Sequence, residues 1–211
     1  MSWCTSLWWR SGSSTTSRGC GTRPTASALS LRAPRRPASA AASRWPATRS
    51  EPRVRLQLIA VGALKQDYAR SGCALFAERL GHLCRLELTE VRDAQRSGGP
   101  GNAPRWRAQE AERLRAALAG APLWVALDER GEEWTSEELA RYIGEAQTRS
   151  VATLPFVIGG PDGLDPDLLR AAPRRLRLGR LTLPHELARL VLLEQLYRAH
   201  TILAGAGYHR P

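Results

Sequence analysis

Long hydrophobic runs are missing from this sequence of 211 residues. A membrane-spanning helix needs roughly 18 or more consecutive apolar residues, whereas every apolar run here is short and broken by Arg or Glu. The sequence therefore predicts no membrane span. Its hydrophobic content of 43% is still enough to build a core, which excludes a wholly disordered chain.

Cysteine is scarce, and its spacing indicates no site. Cys4, Cys20, Cys73 and Cys84 form neither a C-x-x-C motif nor a Cys/His zinc pattern. The four histidines are scattered and no cluster of carboxylates accompanies them. We therefore expect reduced thiols, no disulfide framework, no metal and a cytoplasmic location.

Lysine is nearly absent, because the net charge of +11 rests on 30 Arg and the single Lys65. Residues 1–53 hold nine Arg and one acid, Glu51, for a local charge of +8, which leaves +3 for residues 54–211. The body is thus barely basic, and overall charge is weak evidence for a nucleic-acid partner. Basic residues in individual loops of the body can still contact RNA.

The first 53 residues also lack any helical or strand periodicity. They contain 17 Ser or Thr and four of the seven Trp, a composition that cannot pack a core. Three interpretations are open: a disordered basic arm that binds RNA, an organelle transit peptide, and a start codon assigned too far upstream. We favour the third, because Trp8 and Trp9 suit neither alternative and a strand-like run begins abruptly at Val54.

Beyond Val54, short apolar strands alternate with helical patterns. The predicted strands are 56–61, 83–91, 123–127, 154–158 and 176–183. The predicted helices are about 67–80, 105–118, 135–147, 166–172 and 184–204, two of them marked by a Thr135/Glu138 capping box and by an Asp165 N-cap before Pro166. This alternation predicts an α/β domain over 54–211, with a mostly parallel sheet flanked by helices.

Sheets of this class bind ligands at the carboxyl ends of their strands. The loop after the first strand lacks the G-x-G-x-x-G of a dinucleotide fold, which argues against a dehydrogenase. The glycines lie instead after the fourth strand, in GGPDG at 159–163, where a backbone without side chains can approach a ligand closely. In isolation GGPDG is equally a tight turn, and its position at a strand end favours a ligand loop.

A second candidate loop is LGRLTLPH at 178–185, where the last predicted strand meets a helix opened by Pro184. In one interpretation Thr182 pairs in the sheet and His185 is an ordinary residue at a helix start. In the other, this stretch and GGPDG together form an apolar slot whose backbone N–H and C=O groups form hydrogen bonds with the edge of an adenine ring.

The last predicted helix is apolar almost all round, through Leu187, Leu190, Val191, Leu192, Leu193, Leu196, Tyr197, Ile202 and Leu203. A helix apolar on every side is buried on every side. The excess predicts a twofold homodimer, with burial inside one subunit as the alternative. Chain ends usually fray, yet the tail beyond this helix carries a phenol, an imidazole and a guanidinium that suit contact with a ligand.

Four stretches together resemble the RlmH family of SPOUT RNA methyltransferases: VRLQLIAVG from Val54, LPFVIGGPDGL, LRLGRLTLPHELARLVLLEQLYRAHTI, and the closing YHR. The resemblance covers about Val54 to Arg210, and the family's usual opening, Met-Lys-Leu-Gln-Leu, falls on residues 54–58. It implies a C-terminal trefoil knot, which periodicity cannot show. It also implies that a homodimer transfers a methyl group from S-adenosylmethionine to N3 of a pseudouridine in helix 69 of 23S rRNA, on the assembled 70S ribosome.

Carried over residue by residue, the resemblance implies cofactor contacts at Leu127, Gly159, Gly160, Leu178, Gly179, Arg180, Leu181, Thr182 and Leu183. It makes His185, Tyr208, His209 and Arg210 the candidate catalytic and substrate-contacting residues. The chain departs from the family pattern in its long amino-terminal segment and in the Gly179-Arg180 pair, where small or polar residues are more usual. Rival hypotheses are a non-catalytic ribosome- or RNA-binding protein on the same fold and a plain nucleotide-binding module. Binding of S-adenosylmethionine separates the enzyme from both rivals, because only the enzyme requires this cofactor.

We predict that the mature protein starts at Val54, because composition changes there and the family-like opening begins there. Intact-mass analysis of the native protein tests this, and a mass near that of all 211 residues would contradict it.

Overall fold

The sheet of the computed structural model, which describes residues 54–97 and 99–206, is built from five strands. They are β1 (Arg55–Val61), β2 (Leu86–Val91), β3 (Val125–Glu133), β4 (Thr153–Ile158) and β5 (Arg174–Arg177). Neighbouring strands pair in parallel in the order β2-β1-β4-β3-β5. The predicted parallel sheet is confirmed, whereas the trefoil knot remains a prediction.

The helices connect these strands, and local capping sets where two of them begin. They are α1 (Asp67–Gly81), α2 (Ala103–Leu118, after a 3₁₀ turn), α3 (Ser136–Thr148), α4 (Pro166–Ala171) and α5 (His185–Leu203). At α3 the Glu138 N–H donates to Thr135 Oγ1 at 3.2 Å and the Thr135 N–H donates to Glu138 Oε2 at 2.8 Å. At α4 the Asp165 carboxylate accepts hydrogen bonds from two backbone N–H groups. Both predicted caps are confirmed.

Helices cover both faces of the sheet, because successive strand residues point to opposite sides. Along β1, Leu56, Leu58 and Ala60 pack with α1, α3 and α5. Ile59 and Val61 pack with α2 and α4 on the other face. None of the helices in the described part of the chain is both long and apolar enough to cross a membrane.

Two predicted strands are too long. We expected the second from Leu83, but β2 begins at Leu86 because the Leu83 and Cys84 N–H groups still donate to Leu80 O at 2.9 Å and extend the end of α1. We expected the fifth to run to Leu183, but it ends at Arg177, where its only neighbour, β3, also ends. The interpretation of Thr182 as a sheet residue is therefore wrong.

The third strand is longer than predicted and is interrupted. Leu176 of β5 stands opposite both Leu127 and Glu132 of β3, so the intervening residues bulge out at the end of the sheet. Gly131 makes this bulge possible, because a Cβ there would lie 2.8 Å from the backbone of Arg175. Only glycine allows so close an approach of two backbones.

Helix α5 is not buried on every side within the subunit. Its contact face is fully buried against α1, α3 and the sheet, through Leu192, Leu193, Leu196 and Ala199. Leu187 and Val191 are half-buried, and Leu203 is 41% exposed. Tyr68 and Leu75 are also exposed on α1, which packs against α5 where Gly72 faces Leu190.

Candidate active site

Two loops that the sequence singled out, together with Leu127, lie at one edge of the sheet. β4, β3 and β5 are adjacent and parallel, so their carboxyl ends lie side by side. Ala126 pairs with Val157 and Leu127 pairs with Leu176, which brings Leu127 and the loops beginning at Gly159 and Leu178 to the same edge. The GGPDG loop follows the fourth strand as predicted, whereas residues 178–183 form a loop where we expected a strand.

The loop after β4 folds tightly on itself. The Gly163 N–H donates to Gly160 O at 3.0 Å, and both Gly159 and Gly160 are buried. A Cβ on Gly159 would lie 2.7 Å from the carbonyl carbon of Gly163. We expected ligand and backbone to share this space, but the loop's own backbone fills it. Gly159 therefore shapes the loop, whatever the loop binds.

Behind this loop lies a buried carboxylate that the sequence analysis missed. Glu110 on α2 is 2% exposed, accepts a hydrogen bond from the Ala94 N–H at 3.0 Å and would contact any side chain at Gly160. Burial raises the pKa of the Glu110 carboxyl, while the Ala94 N–H and the Arg96 guanidinium act to lower it. The signal was an acid in the buried stripe of α2, four residues from both Trp106 and Leu114.

The loop between β5 and α5 offers unpaired backbone groups. No hydrogen bond joins the backbone of residues 179–183 to any other residue within 54–97 or 99–206. Leu178 and Leu183 are half-buried, whereas Leu181 is 81% exposed. Arg180 Nε lies 3.9 Å from Glu133 Oε1, which also holds Arg177 at 3.1 Å. Apolar side chains beside free amide groups suit an adenine ring, whose faces are apolar and whose edge forms hydrogen bonds.

His185 opens α5 at the same edge and is half-buried. Burial lowers the pKa of its imidazole below the ordinary value; the Glu186 carboxylate opposes this effect and the Arg189 guanidinium adds to it. At neutral pH the side chain is therefore uncharged and able to accept a proton.

Two further residues missed by the sequence analysis fix α5 in place. Glu186 Oε2 accepts hydrogen bonds from the Lys65 and Gln66 N–H groups at 3.1 and 2.9 Å, and these bonds lower the pKa of Glu186. Arg189, which is 4% exposed, donates to Gly62 O at 2.8 Å and pairs with Glu90 at 2.6 Å. The start of α5 is thus attached to the carboxyl ends of β1 and β2.

The remaining candidates, Tyr208, His209 and Arg210, lie outside the described residues, and their roles remain predictions. Within 54–97 and 99–206, no three His, Cys, Asp or Glu side chains are grouped so that they could hold a metal ion.

Comparison with known proteins identifies the family. A family model described as "Predicted SPOUT methyltransferase" matches residues 54–209. The chain belongs to the SPOUT methyltransferases. As a member, it uses S-adenosylmethionine, and the loops at the carboxyl edge suit the adenine of that cofactor.

Curated relatives match this SPOUT methyltransferase over nearly their whole length. A protein of Allorhizobium ampelinum named "Ribosomal RNA large subunit methyltransferase H" is 42% identical over 160 residues, 74% of this chain and 99% of the relative. A protein of the same name from Nitratidesulfovibrio vulgaris is 43% identical over 155 residues, which are 73% of this chain and 97% of the relative. A crystal structure of a probable methyltransferase from Bordetella pertussis superposes with a TM-score of 0.47 at 17% identity, covering 71% of this chain and 96% of that one.

We predict that Gly159→Val weakens binding of S-adenosylmethionine at least tenfold without unfolding the domain. The added Cβ would displace the loop that carries Gly163, since the two would lie 2.7 Å apart. Isothermal titration with the cofactor, run beside a thermal melt, measures both effects.

Gly81→Val is the matched control, because a Cβ at Gly81, the last residue of α1, meets nothing within 4 Å. Unchanged affinity in a folded Gly159→Val protein would mean that GGPDG is only a turn.

Proposed function

We propose that this SPOUT methyltransferase methylates N3 of a pseudouridine in helix 69 of 23S rRNA, on the assembled 70S ribosome in the cytoplasm, and that residues 54–211 form its catalytic domain. The observation that carries the substrate class is the 42% identity with a protein named as a large-subunit rRNA methyltransferase, 99% of which is matched. The four family-like stretches, which include LTLPH at 181–185, support the finer assignment.

The chain's part in this reaction is positioning and proton transfer. When bound, S-adenosylmethionine supplies a methyl group already activated on sulfonium sulfur. Leu127, Gly160 and the 178–183 loop would hold the cofactor beside the substrate and would keep water out of the site. N3 of pseudouridine carries a proton that has to leave as the N–C bond forms. We assign its acceptance to the uncharged His185, with the Arg210 guanidinium stabilising the developing anion.

A test of this assignment is the pH dependence of single-turnover methylation of 70S ribosomes. The pKa of His185 lies below its ordinary 6.5, so the imidazole is free at neutral pH and the rate should fall only as the pH drops through that lowered pKa. His185→Gln should lose this acid limb and slow the reaction by about 10²-fold or more, the usual contribution of a general base.

Binding of S-adenosylmethionine by His185→Gln is the control, and it should stay within a few-fold of the parent. A variant with the parent's rate and an unchanged pH profile would exclude His185 as the proton acceptor.

We further propose that the active enzyme is a homodimer. The support is the apolar side chains that one subunit leaves partly uncovered on two helices that pack together: half-buried Leu187 and Val191 on α5, and exposed Tyr68 and Leu75 on α1. A second copy that covers this surface would bury apolar area near the start of α5. The tail with Tyr208 to Arg210 would then complete the partner's site, next to its cofactor loop, residues 159–163.

Subunit mixing tests this arrangement. Gly159→Val chains, which lack a working cofactor loop, are mixed with chains that lack residues 208–210. Heterodimers should recover methylation because one intact loop faces one intact tail, and each variant alone should stay inactive. Mixtures as inactive as either parent would place tail and loop in the same chain.

A further inference from the structure

The irregular segment after β2 is fixed by side chains rather than by secondary structure. The Arg113 guanidinium donates to Arg92 O at 2.8 Å and to Asp93 O at 3.0 Å. The next residue, Ala94, donates its N–H to the buried Glu110 carboxylate at 3.0 Å. Three consecutive residues of an exposed loop are therefore held by α2, which leaves the loop little freedom to change shape when a ligand binds.

This ordered loop borders a polar depression. Residues 92–96 line a solvent-open cavity of about 470 Å³ at the carboxyl end of β2. Two of the lining residues, Arg92 and Arg96, are cationic and only Asp93 is acidic. The Asp93 carboxylate lies 3.9 Å from Arg96 and is partly neutralised by it. Because Arg96 is also contacted by the Glu110 and Asp162 carboxylates, the positive charge that this lining can offer an anion is that of Arg92.

The two arginines differ in what they already bind. Arg96 donates to Asp162 of the GGPDG loop at 3.0 Å and lies 3.7 Å from Glu110, so its guanidinium connects this segment to the cofactor loop. The guanidinium of Arg92 is exposed, and within 54–97 and 99–206 it has no ion-pair or hydrogen-bond partner. Arg92 thus presents an unpaired cation on the same segment that Arg96 connects to the GGPDG loop.

We propose that Arg92 and the 92–96 cavity bind a phosphate of the substrate RNA backbone. The inference rests on the proposed function, because it takes the substrate to be RNA. A cation on a loop whose backbone is held in place orients the substrate strand without reading its sequence, as phosphate contacts do. Arg96, which bridges to Asp162, transmits the position of the bound strand to the cofactor loop.

The sharpest test compares two arginines at opposite ends of the same strand. Arg92 follows β2 at the carboxyl edge, and Arg85 precedes β2 at the amino edge; both are exposed, and neither guanidinium has a partner within the described ranges. Arg92→Ala and Arg85→Ala therefore each remove one positive charge from an exposed position. Binding of 70S ribosomes is measured by sedimentation at several salt concentrations, beside titration with S-adenosylmethionine and single-turnover methylation.

Arg92→Ala should weaken ribosome binding about three- to tenfold and reduce the slope of log K against log salt by about 0.7 to 0.9, the loss expected for one phosphate contact. Cofactor affinity should not change. Arg92→Lys should keep the parent's salt slope because it keeps the charge, and Arg85→Ala should match the parent in every measurement.

One result would contradict the phosphate site, and another would contradict the proposed function. Equal binding and equal salt slopes for Arg92→Ala and Arg85→Ala would overturn the phosphate site. A parent enzyme that fails to methylate ribosomes would instead refute the proposed function, and the binding comparison would still decide whether Arg92 contacts a phosphate.

Discussion

The attachment of α5 to the first two strands is the contact on which the site depends. The buried guanidinium of Arg189 joins the carbonyl of Gly62 and the carboxylate of Glu90, and Glu186 holds the loop that follows β1. Loss of these acceptors would leave the buried Arg189 guanidinium unsatisfied, which costs about 1–3 kcal/mol or more. Because α5 begins at His185, the same contacts fix the position of this residue and the end of the 178–183 loop. The docking of the last helix therefore also positions residues of the candidate site.

The elements that could be predicted are those encoded by local chemistry. Thr135, Glu138 and Asp165 satisfy backbone groups within three residues of themselves, so their sequence spacing is sufficient to recognise the caps. Strand ends were harder, because they depend on a partner that is distant in sequence. The leucines at 178, 181 and 183 look like a strand, but β3 ends opposite Arg177 and leaves them nothing to pair with.

Much of the site could be located in the same way, since loops that follow adjacent parallel strands must share an edge. The buried charged residues that support the site could not be predicted from the sequence, for a physical reason. Glu110 and Arg189 sit at buried positions where periodicity predicts apolar side chains, and only the fold reveals the backbone groups that compensate their burial. The tight approach of Gly159 to Gly163 is likewise a tertiary contact, so glycine alone could not distinguish a self-contacting loop from a ligand-contacting one.

The short strand β5 has a consequence for behaviour at high concentration. It forms one border of the sheet, and three of its four residues, Arg174, Arg175 and Arg177, are cationic. An exposed strand border is a template on which other chains can add by backbone pairing, the first step of aggregation. Two molecules meeting along β5 would bring arginines face to face, and the strand offers only four residues of pairing in return. Arg174 and Arg177 pair with Glu132 and Glu133 of β3, so the charge that opposes such pairing is mainly that of Arg175, and the short length of the strand limits the pairing further.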